Sequence, residues 1–290
     1  MATPGQWLEG ARPRTLPNAI APVLVGTGAA IGLREFVWWQ AILTLVVSLS
    51  LIIGVNFAND YSDGIKGTDD DRVGPLRLVG AKLAKPATVR AAAFTAFGVA
   101  ALAGLGLVIA TGHWWLLAIG ALCILGAWFY TGGSRPYGYA GFGELAVFLF
   151  FGLVAVLGTM YVQAGFVTAT VIFAAIAIGS FSSAVMLTNN LRDVDTDAQT
   201  GKRTMAVRLG EDASRQLYCA LTTVPLLVSV LTAGSDPLVL LGLLAIAPLF
   251  GCWRKIITKV RGPALIPVLR DTGIAMLIWG LMTGIGLAFG

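Results

Sequence analysis

Charge is what this 290-residue chain has least of: Asp, Glu, Lys and Arg make up 12% of it, against 57% hydrophobic residues and a mean hydropathy of +0.80. Ordinary soluble domains carry roughly 25% charged residues, so composition excludes a water-soluble enzyme and a soluble nucleic-acid-binding module on an anchor. Histidine is almost missing. The single His113 sits beside Trp114 and Trp115, which leaves nothing for a His-centred metal site or a catalytic triad and suits a membrane-interface position. Cys123, Cys219 and Cys252 stand alone in or at the ends of apolar segments, without the paired spacing of a metal site or a disulfide framework. The formal charge of +5 asks for no nucleic-acid partner. Its basic residues fall in short gaps between apolar runs, where positive charge sets membrane orientation. Residues 1–14 are polar and proline-containing, with no cleavable apolar stretch, so no signal peptide is expected and the first crossing directs insertion.

What remains is apolar length. A helical crossing needs about 20 apolar residues, and nine runs qualify: 16–32, 37–61, 88–110, 115–130, 142–163, 166–190, 215–232, 237–253 and 272–289. Lipid cannot satisfy open strand edges and the runs lack strand alternation, so the expectation is an all-α integral membrane protein, one domain over 1–290. Orientation supplies a check. With nine crossings, only Arg34 of the 20 Lys and Arg falls opposite the amino terminus. The positive-inside rule then places the amino terminus in the cytoplasm of a plasma-membrane protein and the carboxy terminus outside.

Acids are few, and their distribution is uneven. Of fifteen, eight fall in two clusters. The first follows the second apolar run: Asn56, Asn59, Asp60, Asp63, Lys66, Asp69, Asp70, Asp71 and Arg72. The second follows the sixth: Asn189, Asn190, Arg192, Asp193, Asp195 and Asp197, then Gly201, Lys202, Arg203 and Thr204. Asn56, Asp60 and Asp63 are spaced i, i+4, i+7, and Asn189, Asp193 and Asp197 i, i+4, i+8, so each set shares a helical face. Like charges so placed repel, and a bare helix end gains nothing from them. A cation relieves the repulsion. Carboxylate and amide oxygens are hard ligands with no Cys or His nearby, which makes magnesium the leading ion. Both clusters end helices running in the same direction and both are followed by Gly and Lys, a weak internal repeat. Such a repeat puts the two stripes at one mouth, where metal ions can bridge them through a diphosphate.

At this point the chain resembles the UbiA superfamily of membrane prenyltransferases. Asn59-Asp60-Tyr-Ser-Asp63 with Asp69 is similar to its first aspartate motif, and Asp193-Val-Asp-Thr-Asp197 to its second. The run Gly201-Lys202-Arg203-Thr204 through Arg208-Leu-Gly is also similar to the family. Within that superfamily, Arg12-Pro-Arg14, Asp63-Gly-Ile-Lys66, Arg72-Val-Gly-Pro75-Leu-Arg77, Tyr130 through Arg135-Pro-Tyr137-Gly-Tyr139, and Gly143-Glu144 most resemble the branch that prenylates dihydroxynaphthoate in menaquinone synthesis.

The resemblance implies a UbiA-like ring of nine helices, with a cytoplasmic cap from the loops after helices two and six. It implies a magnesium-dependent polyprenyltransferase that joins polyprenyl diphosphate to 1,4-dihydroxy-2-naphthoate with loss of carbon dioxide, giving demethylmenaquinone. Asp60, Asp63, Asp69, Asp193 and Asp197 are then the metal ligands, the distal one falling to Asp69, Asp70 or Asp71. Asn56, Asn59, Asn189, Lys66, Arg72, Tyr130, Arg135, Tyr137, Lys202 and Arg203 are the substrate residues. Phe57, Tyr61, Phe129, Phe148, Phe150 and Phe151 are further candidates for the wall around an allylic cation, and Glu144 either positions the acceptor or favours its helix terminus. Two alternatives stay open: another acceptor, such as hydroxybenzoate or homogentisate, and a cation or metabolite transporter. Prenyl chain length and oligomeric state are not specified by the sequence.

Overall fold

The computed structural model describes residues 2–67 and 76–290, and all regular structure among them is helical. The chain opens on α1, Pro4–Gly10, started by a capping box in which Thr3 and Gln6 satisfy each other's backbone amides. Arg12 then adopts a left-handed backbone (φ 56°) and a short turn follows, so α2, Pro17–Gly32, leaves at 53° to the segment before it. There follow α3, Trp38–Lys66, α4, Pro86–Thr111, α5, Leu116–Phe129, α6, Gly143–Ala164, and α7, Ala169–Arg192. Two short helices, α8, Val194–Gln199, and α9, Met205–Leu209, link α7 to α10, Glu211–Thr232; α11, Pro237–Ile257, and α12, Gly262–Phe289, complete the chain.

Seven of these helices are long and apolar enough to cross a bilayer, and the bent α1–α2 pair can make an eighth. This is a multi-pass membrane protein. Each of the nine expected runs is helical, but α5 has only 14 residues, short of a full crossing on its own. The expected ends also shift. α3 continues through Asp60 and Asp63 to Lys66, well past residue 61, because the carboxylates inside that last turn are held by other parts of the protein.

α7 lies at the centre. Its Ile178 and Phe181 pack with Met160 of α6 and with Met276 and Trp279 of α12 in the largest buried cluster. The first and last spans close on each other through glycines. A Cβ on Gly28 would lie 2.1 Å from the Gly284 carbonyl oxygen, and one on Gly32 2.0 Å from that of Leu287, so small residues permit backbone contact between α2 and α12. Within α6, Phe148–Val154 winds as a π-helix, with Gly152 against the backbone of α7. The outer faces of α4 and α5 are apolar and exposed, Leu102, Ile109 and Leu122 among them, as expected of surfaces that meet lipid.

Candidate functional site

One cavity of about 590 Å³ runs inside the helices. Its wall follows α3 from Thr44 to Asp63, about 28 Å at the α-helical rise. Most of it is apolar, lined by α4, α5 and α6 through residues such as Leu107, Ile124, Phe150 and Val162. Polar residues gather at the end where α3 and α7 terminate. There Asp63, Asp193 and Asp197 share the lining with Arg12, Arg14, Arg77, Arg192 and Lys202. The two acidic clusters, separated by 130 residues of sequence, meet at the same mouth.

The segment after the first cluster explains how α3 holds its acids. Gly64 leaves room for Val79, whose Cγ1 would come within 2.4 Å of a Cβ there. The backbone of 78–79 therefore lies against the helix, and its amides donate to Asp60, from Leu78 at 2.7 Å and from Val79 at 3.1 Å. Both Asp60 oxygens are thus engaged by backbone, and Asp60 is not part of the cavity lining. Its expected place beside Asp63 as a metal ligand is not where the structure puts it: one helical turn separates a carboxylate that ties down a loop from one that faces the cavity. Asp63 receives Arg77 at 3.3 Å and the Tyr139 hydroxyl. Arg77 reaches it because the Asp60 contact fixes the loop.

The second cluster is built differently. α7 stops at Arg192, Asp193 is the terminal residue, and Asp197 is carried one turn further by α8, its amide bonding the Asp193 carbonyl at 2.8 Å. Asp193 is gripped by its own neighbour, Arg192, through two bonds of 2.7 and 2.6 Å. This is the planar fork geometry of a strong carboxylate pair. Asp193 is buried and Asp197 half-buried, and both line the cavity.

The other expected residues divide. Asn56, Asn59, Asn189, Tyr130, Tyr137 and Lys202 line the cavity. Asn56 donates to the Ala11 carbonyl and to Thr15, which docks the α1–α2 bend on α3, and Asn59 accepts from Thr131. Lys66 and Lys202 stand 5.1 and 4.7 Å from the ring centre of Tyr139, a cation–π arrangement that brings both ammonium groups to the hydroxyl-bearing loop. Lys66 is not itself part of the lining, but its ammonium donates to the carbonyl of Thr131, which is. Arg135 and Arg203 are exposed and off the cavity. Asp69 and Arg72, with Asp70 and Asp71, lie outside the described residues.

Of the aromatic candidates, Tyr130, Phe150 and Phe151 reach the cavity, whereas Phe57, Tyr61, Phe129 and Phe148 do not. Phe57 packs edge-on against Trp7 and Tyr61 stacks on Trp128. Tyr130 and Tyr137 meet edge to face at 5.5 Å. Burial lifts the Tyr137 hydroxyl to about 12. Burial, then Glu144 and Tyr137, then Asp63 and Asp197, push Tyr130 well above the usual phenol range, so both hydroxyls stay protonated donors.

Arg12, Arg77, Tyr139, Asn190 and Arg192 also line the cavity, although helical periodicity does not single them out. For Arg12 and Tyr139 the only signal was their place in quoted motifs, since helical spacing cannot reach residues that arrive on loops. Among the described residues no three His, Cys, Asp or Glu converge on one point. A hard divalent ion would therefore take one or two carboxylates from Asp63, Asp193 and Asp197 and fill its shell with water and ligand oxygens. That is how magnesium is ordinarily bound, so the donor set fits.

Acid at one mouth, cations around it and a long apolar interior suit a ligand with a polyanionic head and a greasy tail. A profile of the UbiA prenyltransferase family matches residues 19–267. The chain belongs to the UbiA prenyltransferase family. Two curated relatives are called 1,4-dihydroxy-2-naphthoate octaprenyltransferase. The one from Mycobacterium tuberculosis is 55% identical over 290 residues, covering 100% of this chain and 99% of that protein. The one from Mycobacterium leprae is 52% identical over 281 residues, covering 97% and 95%. Among solved structures, a UbiA homolog from Archaeoglobus fulgidus, bound to DMAPP and Mg2+, superposes with a TM-score of 0.61 at 14% identity, over 98% of this chain and 99% of that one. That likeness confirms the UbiA prenyltransferase fold. Like other members of its family, this prenyltransferase is an enzyme.

Proposed function

We propose that this UbiA prenyltransferase, acting as one membrane-embedded domain over 1–290, transfers a polyprenyl group from its diphosphate to 1,4-dihydroxy-2-naphthoate. Diphosphate and carbon dioxide are released, and the product is the prenylated 1,4-dihydroxynaphthalene, the hydroquinone form of demethylmenaquinone. The observation that carries the reading is the convergence of Asp63, Asp193 and Asp197 on one cation-rimmed mouth above an apolar cavity, in a chain so similar to proteins of that name. The tail lies along α3 among Leu107, Ile124 and Phe150, and the diphosphate sits at the mouth.

Magnesium held by one or two of Asp63, Asp193 and Asp197 would supply Lewis-acid neutralisation of the departing diphosphate. The chain's own residues do the rest. Arg77, Arg192 and Lys202 stabilise the same developing anion and are already oriented, Arg77 by Asp63, Arg192 by Asp193 and Lys202 by the Tyr139 ring. Asp60 holds the loop that presents Arg77. Tyr130 and Phe150, at the cavity wall, exclude water and offer ring faces to the allylic cation as its C–O bond breaks. The naphthoate ring supplies the electron pair for the new C–C bond. The active site opens to the cytoplasm of a plasma-membrane protein, with the amino terminus inside and the carboxy terminus outside, in keeping with the one-sided Lys and Arg.

The test uses purified protein in lipid with magnesium, a long-chain prenyl diphosphate and dihydroxynaphthoate, with products identified by mass. Prenylated naphthol lacking the carboxylate is expected. Prenylation of hydroxybenzoate in preference to the naphthoate would overturn the acceptor, and no transfer with any acceptor would overturn the reaction.

A further inference from the structure

Glu144 is buried at the start of α6, 3% exposed, and is the one charged residue of that helix. Its carbonyl accepts from Ser183 at 2.9 Å and its Oε1 accepts from Asn190 Nδ2 at 2.8 Å, while Oε2 has no partner among the described residues. A buried carboxyl with one idle oxygen is costly, and nothing in helix packing needs it there. Its one side-chain bond is to Asn190, a residue 7% exposed that lines the cavity.

That bond decides which way the Asn190 amide faces. With its NH2 donating to Glu144 Oε1, the Asn190 carbonyl oxygen, on the other branch of the amide, is turned away from the carboxyl. No donor among the described residues reaches Asn190 Oδ1. The cavity therefore receives a fixed hydrogen-bond acceptor. It lies three residues before Asp193 on α7, about 4.5 Å further inward at the helical rise. Opposite are the Tyr130 ring, whose hydroxyl donates to Met186 Sδ at 3.3 Å one turn deeper on α7, and Tyr137 beside it.

We propose that Asn190, oriented by Glu144, recognises a hydroxyl group of the aromatic acceptor, with the ring lying against Tyr130 and Tyr137. This rests on the prenyl-transfer reading above. The chemistry selects the acceptor over the donor, because a prenyl diphosphate headgroup bound through metal and cations has no hydrogen to give an amide oxygen, and its tail has none at all. A phenol has one. As the ring gives up electrons to the new C–C bond, positive charge spreads to the hydroxyl oxygen and its proton becomes more acidic. The bond to Asn190 is then stronger in the transition state than in the bound ground state. Asn190 contacts substrate, whereas Glu144 is a positioning residue.

The experiment compares wild type, Asn190→Leu and Glu144→Gln in lipid nanodiscs. KM is measured separately for dihydroxynaphthoate and for prenyl diphosphate, with equilibrium binding of dihydroxynaphthoate alone as a readout free of turnover. Asn190→Leu is expected to raise the acceptor KM, and to weaken acceptor binding, about tenfold, with donor KM within about twofold. Glu144→Gln keeps an oxygen for Asn190 but lets the pair flip, and should shift the acceptor alone by about threefold. If Asn190→Leu does not assemble, Glu144→Gln carries the test. Unchanged acceptor binding, or equal loss for donor and acceptor, overturns this inference while leaving the reaction standing. A wild type that does not prenylate dihydroxynaphthoate overturns the reaction itself.

Discussion

The ends of α3 and α7 carry acid stripes that look alike in sequence and are put to different use. In α3 the helix runs straight through the acids. Asp60 turns toward the loop after α3 and accepts two backbone amides, and Asp63, nearly one turn on, faces the cavity with Arg77 and Tyr139. In α7 the helix stops, and Asp193 and Asp197 reach the same cavity from the break, the first clamped by its neighbour Arg192. Matching periodicity identifies a face. It does not say which carboxylate the backbone will consume, because that depends on a loop 18 residues away.

Substitutions can break this comparison. Asp63→Asn and Asp193→Asn remove charge from opposite sides of the mouth, and each should lower turnover by about 10²- to 10³-fold without loss of assembly; an assay of product formed per folded molecule checks this. Asp60→Asn should behave differently. An amide offers one oxygen where the carboxylate offered two, so one of the Leu78 and Val79 amides loses its partner and the protein is destabilised by about 1–3 kcal/mol. Its magnesium requirement should nonetheless match wild type. A metal titration that shifts as far for Asp60→Asn as for Asp63→Asn would erase the distinction between the two residues.

A smaller effect sharpens the α3 side. Tyr139→Phe keeps the ring that Lys66 and Lys202 approach but deletes the hydroxyl on Asp63, and should raise KM for prenyl diphosphate by about three- to tenfold with little change for the acceptor. The smallest belongs to Arg135. It is exposed and away from the cavity, so Arg135→Ala should stay within about twofold of wild-type kcat/KM for both substrates; a loss approaching that of Asp63→Asn would return it to the site.

Much of this architecture was legible because lipid imposes a simple rule on composition. Apolar length located the helices, and one-sided positive charge suggested their direction. What escaped has local causes. α5 is shorter than its apolar run because Trp115 and Tyr130 fall outside the helix, and α3 outlasts its run because Asp60 and Asp63 find partners. Asn189 was singled out by its spacing from Asp193, whereas its neighbour Asn190 matters through Glu144, 46 residues earlier in the chain, a relation no helical period contains. Arg12 and Tyr139 arrive on loops, where position follows from tertiary contacts alone. Phe57 and Tyr61 have the right residue type and the wrong face, spent on Trp7 and Trp128.

The account depends on α3 and α7 gripping one headgroup together, and a double-mutant cycle addresses this directly. Binding of an unreactive prenyl thiolodiphosphate would be measured with magnesium for wild type, Asp63→Asn, Asp193→Asn and the double variant. If both carboxylates serve one bound diphosphate, the double variant should bind about as weakly as either single one, a coupling well above additivity. Losses that simply multiply, as for two independent sites, would contradict it.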